Sequence, residues 1–187
     1  MLILQLYLLF GLVLHKVIWE ILKRGSAERP VEGSSGKLTF VKAVKVAILL
    51  GLVVQIWFPD IPPILPEPFW LRVLGVCLFT LGLVTAIAAR FQLGDNWANI
   101  ETGQVMRRQF VVESGIYGFV RHPIYTGDIL LLLGLELGLN SWLVCGVLLL
   151  APVVMIQAMK EEQMLVDELP GYERYCRRSK RFIPFVY

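Results

Sequence analysis

Residues 121–162 read RHPIYTGDILLLLGLELGLNSWLVCGVLLLAPVVMIQAMKEE. The apolar run inside this stretch, Ile124 to Met159, is too long for one bilayer crossing, which takes roughly 20 residues. Gly138-Leu139-Asn140-Ser141 interrupts it with turn chemistry. The stretch therefore reads as two short antiparallel helices. Their polar ends, Arg121-His122-Pro123 and Glu161-Glu162, then fall on the same side of a membrane. Pro123 suits a first helical turn and fixes a bend directly after His122. Pro152 sits inside the second helix, where neighbouring helices can satisfy the backbone groups it frees.

Working outward, the same pattern repeats. Leu2–Leu22, Thr39–Phe58 and Phe69–Ala89 are further apolar runs of spanning length. Pro59-Asp60-Ile61-Pro62-Pro63, followed by Pro66 and Pro68, separates the second run from the third and cannot continue a helix. Leu2–Leu22 has no basic residue ahead of it and no small-residue cleavage pattern after it. It reads as a retained span. The expected fold is an all-α integral membrane bundle of about five transmembrane helices with a C-terminal helical tail. It forms one membrane domain, with N-terminal spans in 1–89 and a second half in 90–187 made of a loop, the helical hairpin and the tail.

Composition agrees. Of 187 residues, 56% are hydrophobic and 18% charged, with a mean hydropathy of +0.64. A soluble domain needs more polar surface than this. The basic residues lie in short loops without a nucleic-acid motif, which argues against nucleic-acid binding. Three cysteines without a CxxC pair and two histidines give little support to a zinc site. A metal-carboxylate site would place a histidine three residues after glutamate. Leu165 holds that position after Glu162.

Charge also sets an expected orientation. Lys23, Arg24, Arg29, Lys37, Lys42 and Lys45 fall in the first loop, and Arg90, Arg107, Arg108 and Arg121 in the third. The tail adds Arg174, Arg177, Arg178, Lys180 and Arg181, whereas the loop from Phe58 to Trp70 has Asp60 and Glu67 but no Lys or Arg. The positive-inside rule places both polar clusters and the C-terminus in the cytoplasm, with the N-terminus outside. Arg72 is expected to snorkel at the outer edge. The Gly33-Ser34-Ser35-Gly36 tetrad reads as flexible linker.

The candidate site residues follow from this placement. Arg121, His122 and Tyr125 stand at the mouth of the fourth span, and their competing role is that of an interfacial anchor. Adjacent helical residues point about 100° apart, so Glu161 and Glu162 are expected to divide their duties. One accepts hydrogen bonds from a ligand, and the other pairs with Arg121 or Lys160. Their helix is expected to continue to Pro170-Gly171. The tail with Tyr172, Tyr175, Ser179, Arg181 and Pro184 reads on composition as a basic segment on anionic lipid. Asp128 belongs to the same pocket by position, and intramembrane carboxylates are functional candidates. Glu136 is assigned a structural or interfacial role near the outer turn. Asn96 and Trp97 are candidates for shaping the pocket from the loop.

Arg121-His122-Pro123-x-Tyr125, Glu161-Glu162-x-x-Leu165, Tyr172-x-x-Tyr175 and Arg181-x-x-Pro184 together resemble the isoprenylcysteine carboxyl methyltransferase family and the related phospholipid N-methyltransferases. The similarity runs from about Leu93 to Pro184. It implies a multi-span enzyme that uses S-adenosylmethionine, with a cofactor pocket closed by the tail. On this resemblance His122, Pro123, Tyr125, Glu161 and Glu162 bind cofactor, with Arg121 and Tyr117 beside them. Arg181, Tyr175 and Gln157 are the catalytic candidates. Gln157 stands where many members carry arginine, which weakens the case for a carboxylate acceptor. The implied partners are a lipophilic or membrane-associated methyl acceptor and the bilayer. Two other readings compete: a nicotinamide-dependent membrane reductase of sterol-reductase type, and a non-enzymatic membrane scaffold.

Overall fold

The computed structural model describes residues 1–25, 36–60, 62–96 and 110–184. Among these residues, six α-helices follow in order: α1 (Leu2–Gly25), α2 (Gly36–Ile56), α3 (Phe69–Leu93), α4 (Pro123–Gly138), α5 (Val144–Glu168) and α6 (Tyr172–Arg178). Short 3-10 turns occupy Gly94–Asn96 and Gly115–Gly118. Arg29, Gly33-Ser34-Ser35, Trp97, Arg107 and Arg108 lie outside the described residues.

The chain is an integral, multi-pass helical membrane protein. Among the described residues, three helices are long and apolar enough to cross a bilayer: Leu2–Leu22 within α1, α3 and α5. The expected division of the long apolar run occurs where its turn residues stand, between Gly138 and Val144. α4 has 16 residues, so its axis is only about 24 Å long. Large apolar side chains face outward, among them Trp70 (78% exposed) and Leu149 (76%). That is costly in water and favourable against lipid.

The tightest helix pair is α3 with α4, and glycines make it possible. A Cβ on Gly75, Gly82, Gly127 or Gly134 would stand closer than 3.0 Å to backbone atoms of the opposite helix. The pairs are Gly75 with Gly138, Phe79 with Gly134, Gly82 with Leu131 and Ala86 with Gly127. Each helix repeats its small residue after seven positions, two helical turns, so one antiparallel face is kept clear. Leu8 and Leu12 of α1, Ile56 of α2, and Phe79 and Leu83 of α3 pack with Leu131, Leu135 and Leu139 into the main core. The Tyr7 ring meets Phe79 edge-on at 5.7 Å.

The α4–α5 turn is locked by Asn140, which is fully buried with φ of 56°. Its amide donates to Asp60 (2.7 Å) and to the Leu65 carbonyl (2.8 Å). Its side-chain oxygen accepts from the Ile64 and Leu65 amides. Asp60 also receives two hydrogen bonds from Arg72, at 2.9 and 2.8 Å. Arg72 is thus held by an ion pair rather than simply snorkelling. Glu136 is buried and accepts from Gln55 at 2.7 Å, a structural contact between α2 and α4. This network ties down the proline-rich loop and leaves the opposite end of the α4–α5 hairpin to form the polar site.

Candidate active site at the open end of the α4–α5 hairpin

α5 continues without a break past Glu161-Glu162 to Glu168, and Gly171 (φ 88°) then reverses the chain into α6. The tail returns to the start of α4. Lys180 N donates to Phe119 O (3.0 Å), Arg121 N to Lys180 O (2.7 Å) and His122 N to Arg181 O (3.0 Å). Segments 119–122 and 180–181 therefore run side by side as a short parallel pairing around the Val120–Lys180 bridge. This pairing aims Arg121, His122 and Arg181 at α5.

They converge on Glu162, which is buried. Arg121 Nε donates to Glu162 Oε1 at 2.6 Å, and Arg181 Nε donates to Oε2 at 2.9 Å. His122 Nε2 lies 3.1 Å from Oε1. The other Arg121 donor, Nη1, reaches the carbonyls of Cys176 (3.0 Å) and Ser179 at the end of α6, where a cation complements the helix dipole. A charge this buried persists only when paired and hydrogen-bonded, and Glu162 has three such partners. It fastens the tail to the hairpin.

Glu161 is differently placed. Among the described residues its hydrogen bond is the one from Tyr125 Oη, at 3.1 Å, and its side chain is 19% exposed. His122 Nδ1 lies 3.9 Å from Glu161 Oε2. The two carboxylates divide their duties as the helical geometry requires, yet both flank the same imidazole from opposite nitrogens. His122 stacks on Tyr125 (centroids 5.5 Å, 20°) and packs against Phe182 at 5.6 Å. The result is a buried polar cluster with one aromatic wall and one carboxylate still open to hydrogen-bond donors.

Tyr117 and Tyr175 support the cluster from behind. Tyr175 Oη donates to the Tyr117 carbonyl at 2.7 Å, and Ser179 Oγ donates to the Tyr175 carbonyl at 2.8 Å. Burial pushes the Tyr175 phenol well above its ordinary pKa, so it remains a donor at neutral pH. Tyr172 and Tyr175 pack with Leu165 and Leu169 in a second core. Removing the hydroxyl in Tyr175→Phe strands a buried carbonyl, which costs about 1–3 kcal/mol. The expected result is a lower unfolding temperature in detergent and faster proteolysis of the tail. An unchanged temperature and cleavage rate would refute this supporting role.

Of the residues singled out from sequence, Arg121, His122, Tyr125, Glu161, Glu162 and Arg181 are brought together, with Pro123 buried at the first turn of α4. Gln157 stands apart on the exposed side of α5, one turn before Glu161. Asp128 does not join the Glu162 network but pairs with His15 of α1 at 3.0 Å. Asn96 accepts from the Phe110 amide at 3.0 Å and so joins the two ends of the intervening loop. Sequence reading missed Thr126, whose hydroxyl donates to the His122 and Phe182 carbonyls, both at 3.1 Å. It also missed Gln92, whose Oε1 accepts from Ile116 N at 2.8 Å beside Gly115 (φ 61°). Arg90 was read only for its charge. It is 1% exposed and donates to the Gly94 carbonyl at 2.8 Å. Its signal was its position as a cation in the last turn of an apolar span.

Residues 70–169, more than half of the chain, match the phospholipid methyltransferase family. The chain belongs to that family. Among curated proteins, the cobalt-zinc-cadmium resistance protein CzcN of Cupriavidus metallidurans is 32% identical over 109 residues, covering 57% of this chain and 49% of CzcN. The human protein-S-isoprenylcysteine O-methyltransferase is 27% identical over 128 residues, covering 66% and 45%. A mouse Delta(14)-sterol reductase matches over 95 residues at 33% identity, 23% of its length. The chain thus spans about half the length of the first two. In structure, this family member shares its fold with the eukaryotic intramembrane Ras methyltransferase, isoprenylcysteine carboxyl methyltransferase. The TM-score is 0.58, at 23% identity, over 83% of this chain and 55% of that one.

Proposed function

We propose that this chain is a membrane-embedded methyltransferase that uses S-adenosylmethionine and methylates a lipophilic or membrane-associated acceptor. The observation that carries the reading is the division of labour between the adjacent glutamates. Glu162 is fully committed to Arg121, His122 and Arg181, whereas Glu161 keeps hydrogen-bonding capacity beside an aromatic wall. That donor set fits a ligand with hydroxyl and amino donors and a positive charge, which a carboxylate and aromatic faces both favour.

When bound, S-adenosylmethionine supplies a methyl group already activated on a sulfonium. The chain's residues then hold, orient and exclude water. Glu161 and Tyr125 accept and donate at the open side of the cluster, and His122 and Pro123 fix that side in place. Arg121, Arg181 and Tyr175 keep the tail closed over it, so that alignment and a preorganised polar setting do most of the work. By charge bias the site faces the cytoplasm and five helices cross the bilayer, with residues 90–187 as the catalytic half. A soluble cofactor and a lipid-borne acceptor would each reach such a site from its own phase.

Calorimetry on detergent-purified protein tests the reading. Wild-type protein is expected to bind S-adenosylmethionine saturably. Glu161→Ala, folded as judged by its unfolding temperature, is expected to bind about 10- to 100-fold more weakly, the effect of one lost charged hydrogen bond. Absence of binding by folded wild-type protein would overturn it. Saturable binding of NADPH in its place would support a reductase.

A further inference from the structure

The tail that closes the site has a second face. α6 buries Tyr172 and Tyr175, and Ser179 just past its end is buried as well. Arg174, Arg177, Arg178 and Lys180 are exposed. Arg177 donates to Glu173 one turn back at 2.7 Å, with both side chains 68% exposed. Arg174 and Arg178 also stand one turn apart. They are like charges, and such i,i+4 pairs destabilise a helix in water. Neither makes an ion pair among the described residues. An external anion is what this face lacks.

Backbone pairing fixes the depth at which this face lies. α4 has 16 residues, an axis of about 24 Å, which is shorter than the roughly 30 Å hydrocarbon core. Its first turn, at Pro123, therefore stands at the hydrocarbon boundary. The tail is bonded to that turn, with Arg121 N donating to Lys180 O and His122 N to Arg181 O. Residues 180–183 thus run at headgroup depth. Ile183, 54% exposed, offers an apolar side chain there, next to Phe182, which packs on His122. The exposed acids Asp167 and Glu168 lie elsewhere, at the end of α5. They are up to about 9 Å beyond Glu162 along the helix, away from the bilayer. From Gly171 the chain turns back, so α6 carries its arginines toward the membrane.

We propose that the exposed face of α6, with Lys180 and Ile183, docks on anionic lipid headgroups of the adjoining leaflet, and that this contact holds the tail closed over the site. Lipid charge then sets donor affinity, a consequence that rests on the methyltransferase reading above. The link is mechanical. Arg121 grips the Cys176 and Ser179 carbonyls at the end of α6 and Glu162 on α5. Whatever pins α6 therefore favours the paired state of Arg121, His122 and Arg181. Charge bias puts this end on the cytoplasmic side, where anionic lipids are abundant. Each basic side chain at such a surface contributes a factor of about five. A ligand shifts an equilibrium only by its differential affinity. Arg174 and Arg178 together can thus shift tail closure by at most about 25-fold.

The test places full-length protein in nanodiscs of phosphatidylcholine, or of an equal mixture of phosphatidylcholine and phosphatidylglycerol. Two quantities are read: hydrogen exchange of amides 172–182, and calorimetric binding of S-adenosylhomocysteine. This demethylated donor carries no net charge, so an anionic bilayer does not concentrate it. Wild-type protein is expected to gain tail protection and to bind about 10-fold more tightly in the anionic discs. Arg174→Gln combined with Arg178→Gln should keep the wild-type unfolding temperature and lose most of the lipid response. Arg174→Lys combined with Arg178→Lys should retain it. Equal tail protection in the two lipids, a full response in the glutamine pair, or protection without tighter binding would each overturn the proposal. So would a full response in neutral discs supplied with soluble inositol hexakisphosphate. Failure of wild-type protein to bind S-adenosylmethionine in either lipid would instead overturn the methyltransferase reading, and hydrogen exchange would still judge the docking.

Discussion

Glu162→Ala is expected to release the C-terminal tail and to lower the proposed methyl transfer by at least about 100-fold. Glu162 holds Arg121, His122 and Arg181 at 2.6, 3.1 and 2.9 Å. The Arg121 and Glu162 side chains are each 8% exposed, so removing the carboxylate leaves a buried guanidinium without its counter-charge. Breaking one side of such a pair costs about 3–5 kcal/mol, and 3 kcal/mol is already a factor of about 100. Arg181, at 32% exposure, can turn to water and adds little. The loss falls on the tail because Arg121 is also what grips the Cys176 and Ser179 carbonyls. Hydrogen exchange would show it directly. Amides of 172–182 should lose protection while those of α3 and the buried half of α4 keep theirs. Full tail protection with wild-type turnover would contradict the role assigned to Glu162. Glu162→Gln keeps the shape but loses the charge, and should fall between the two.

Most of the helical framework was legible because it rests on local signals. Apolar length, the prolines between Phe58 and Phe69 and the Gly138-Leu139-Asn140-Ser141 break each act within a few residues. The site was legible for a different reason. In an apolar chain, charged residues at helix ends have few places to go, so one of Glu161 and Glu162 could be paired with Arg121 or Lys160 from position alone, and the structure gives Glu162 to Arg121. Three features were not legible. The parallel pairing of 119–122 with 180–181 is a long-range backbone register, and backbone hydrogen bonds carry no side-chain signature. Asp128 was placed with the cytoplasmic pocket because its own helix pointed there. Its partner His15 lies in a helix whose packing no local rule specifies. Gln157 follows the motif in sequence but lies on the exposed side of α5, since register along one helix does not say what stands opposite. The glycines of α3 and α4 had a visible seven-residue spacing, yet a clear face has no meaning until the facing helix is known.

That face gives the second large effect. Gly134→Ala is expected to destabilise the protein by about 3 kcal/mol, although alanine is the better helix former. A Cβ at Gly134 would fall within 3.0 Å of the Phe79 amide and the Gly75 carbonyl. These are backbone atoms, so no rotamer change relieves the overlap, and α3 and α4 must move apart. Overpacking of well-packed cores costs about 1–3 kcal/mol and more when backbone must shift. The cost is also shared along the interface, because separating the helices at Gly134 loosens the Gly75–Gly138 and Gly82–Leu131 approaches. Gly146→Ala is the matched control. It is also a helical glycine, and a Cβ there meets nothing within 4 Å. Helix propensity alone should make that change neutral or stabilising by up to about 1 kcal/mol. Thermal unfolding of both variants in one detergent separates the explanations: opposite shifts follow from interhelical contact, whereas equal shifts would show that the α3–α4 approach does not govern stability. Because α4 carries His122, Pro123 and Tyr125 at its polar end, the separation should also weaken donor binding in Gly134→Ala while Gly146→Ala binds as wild type.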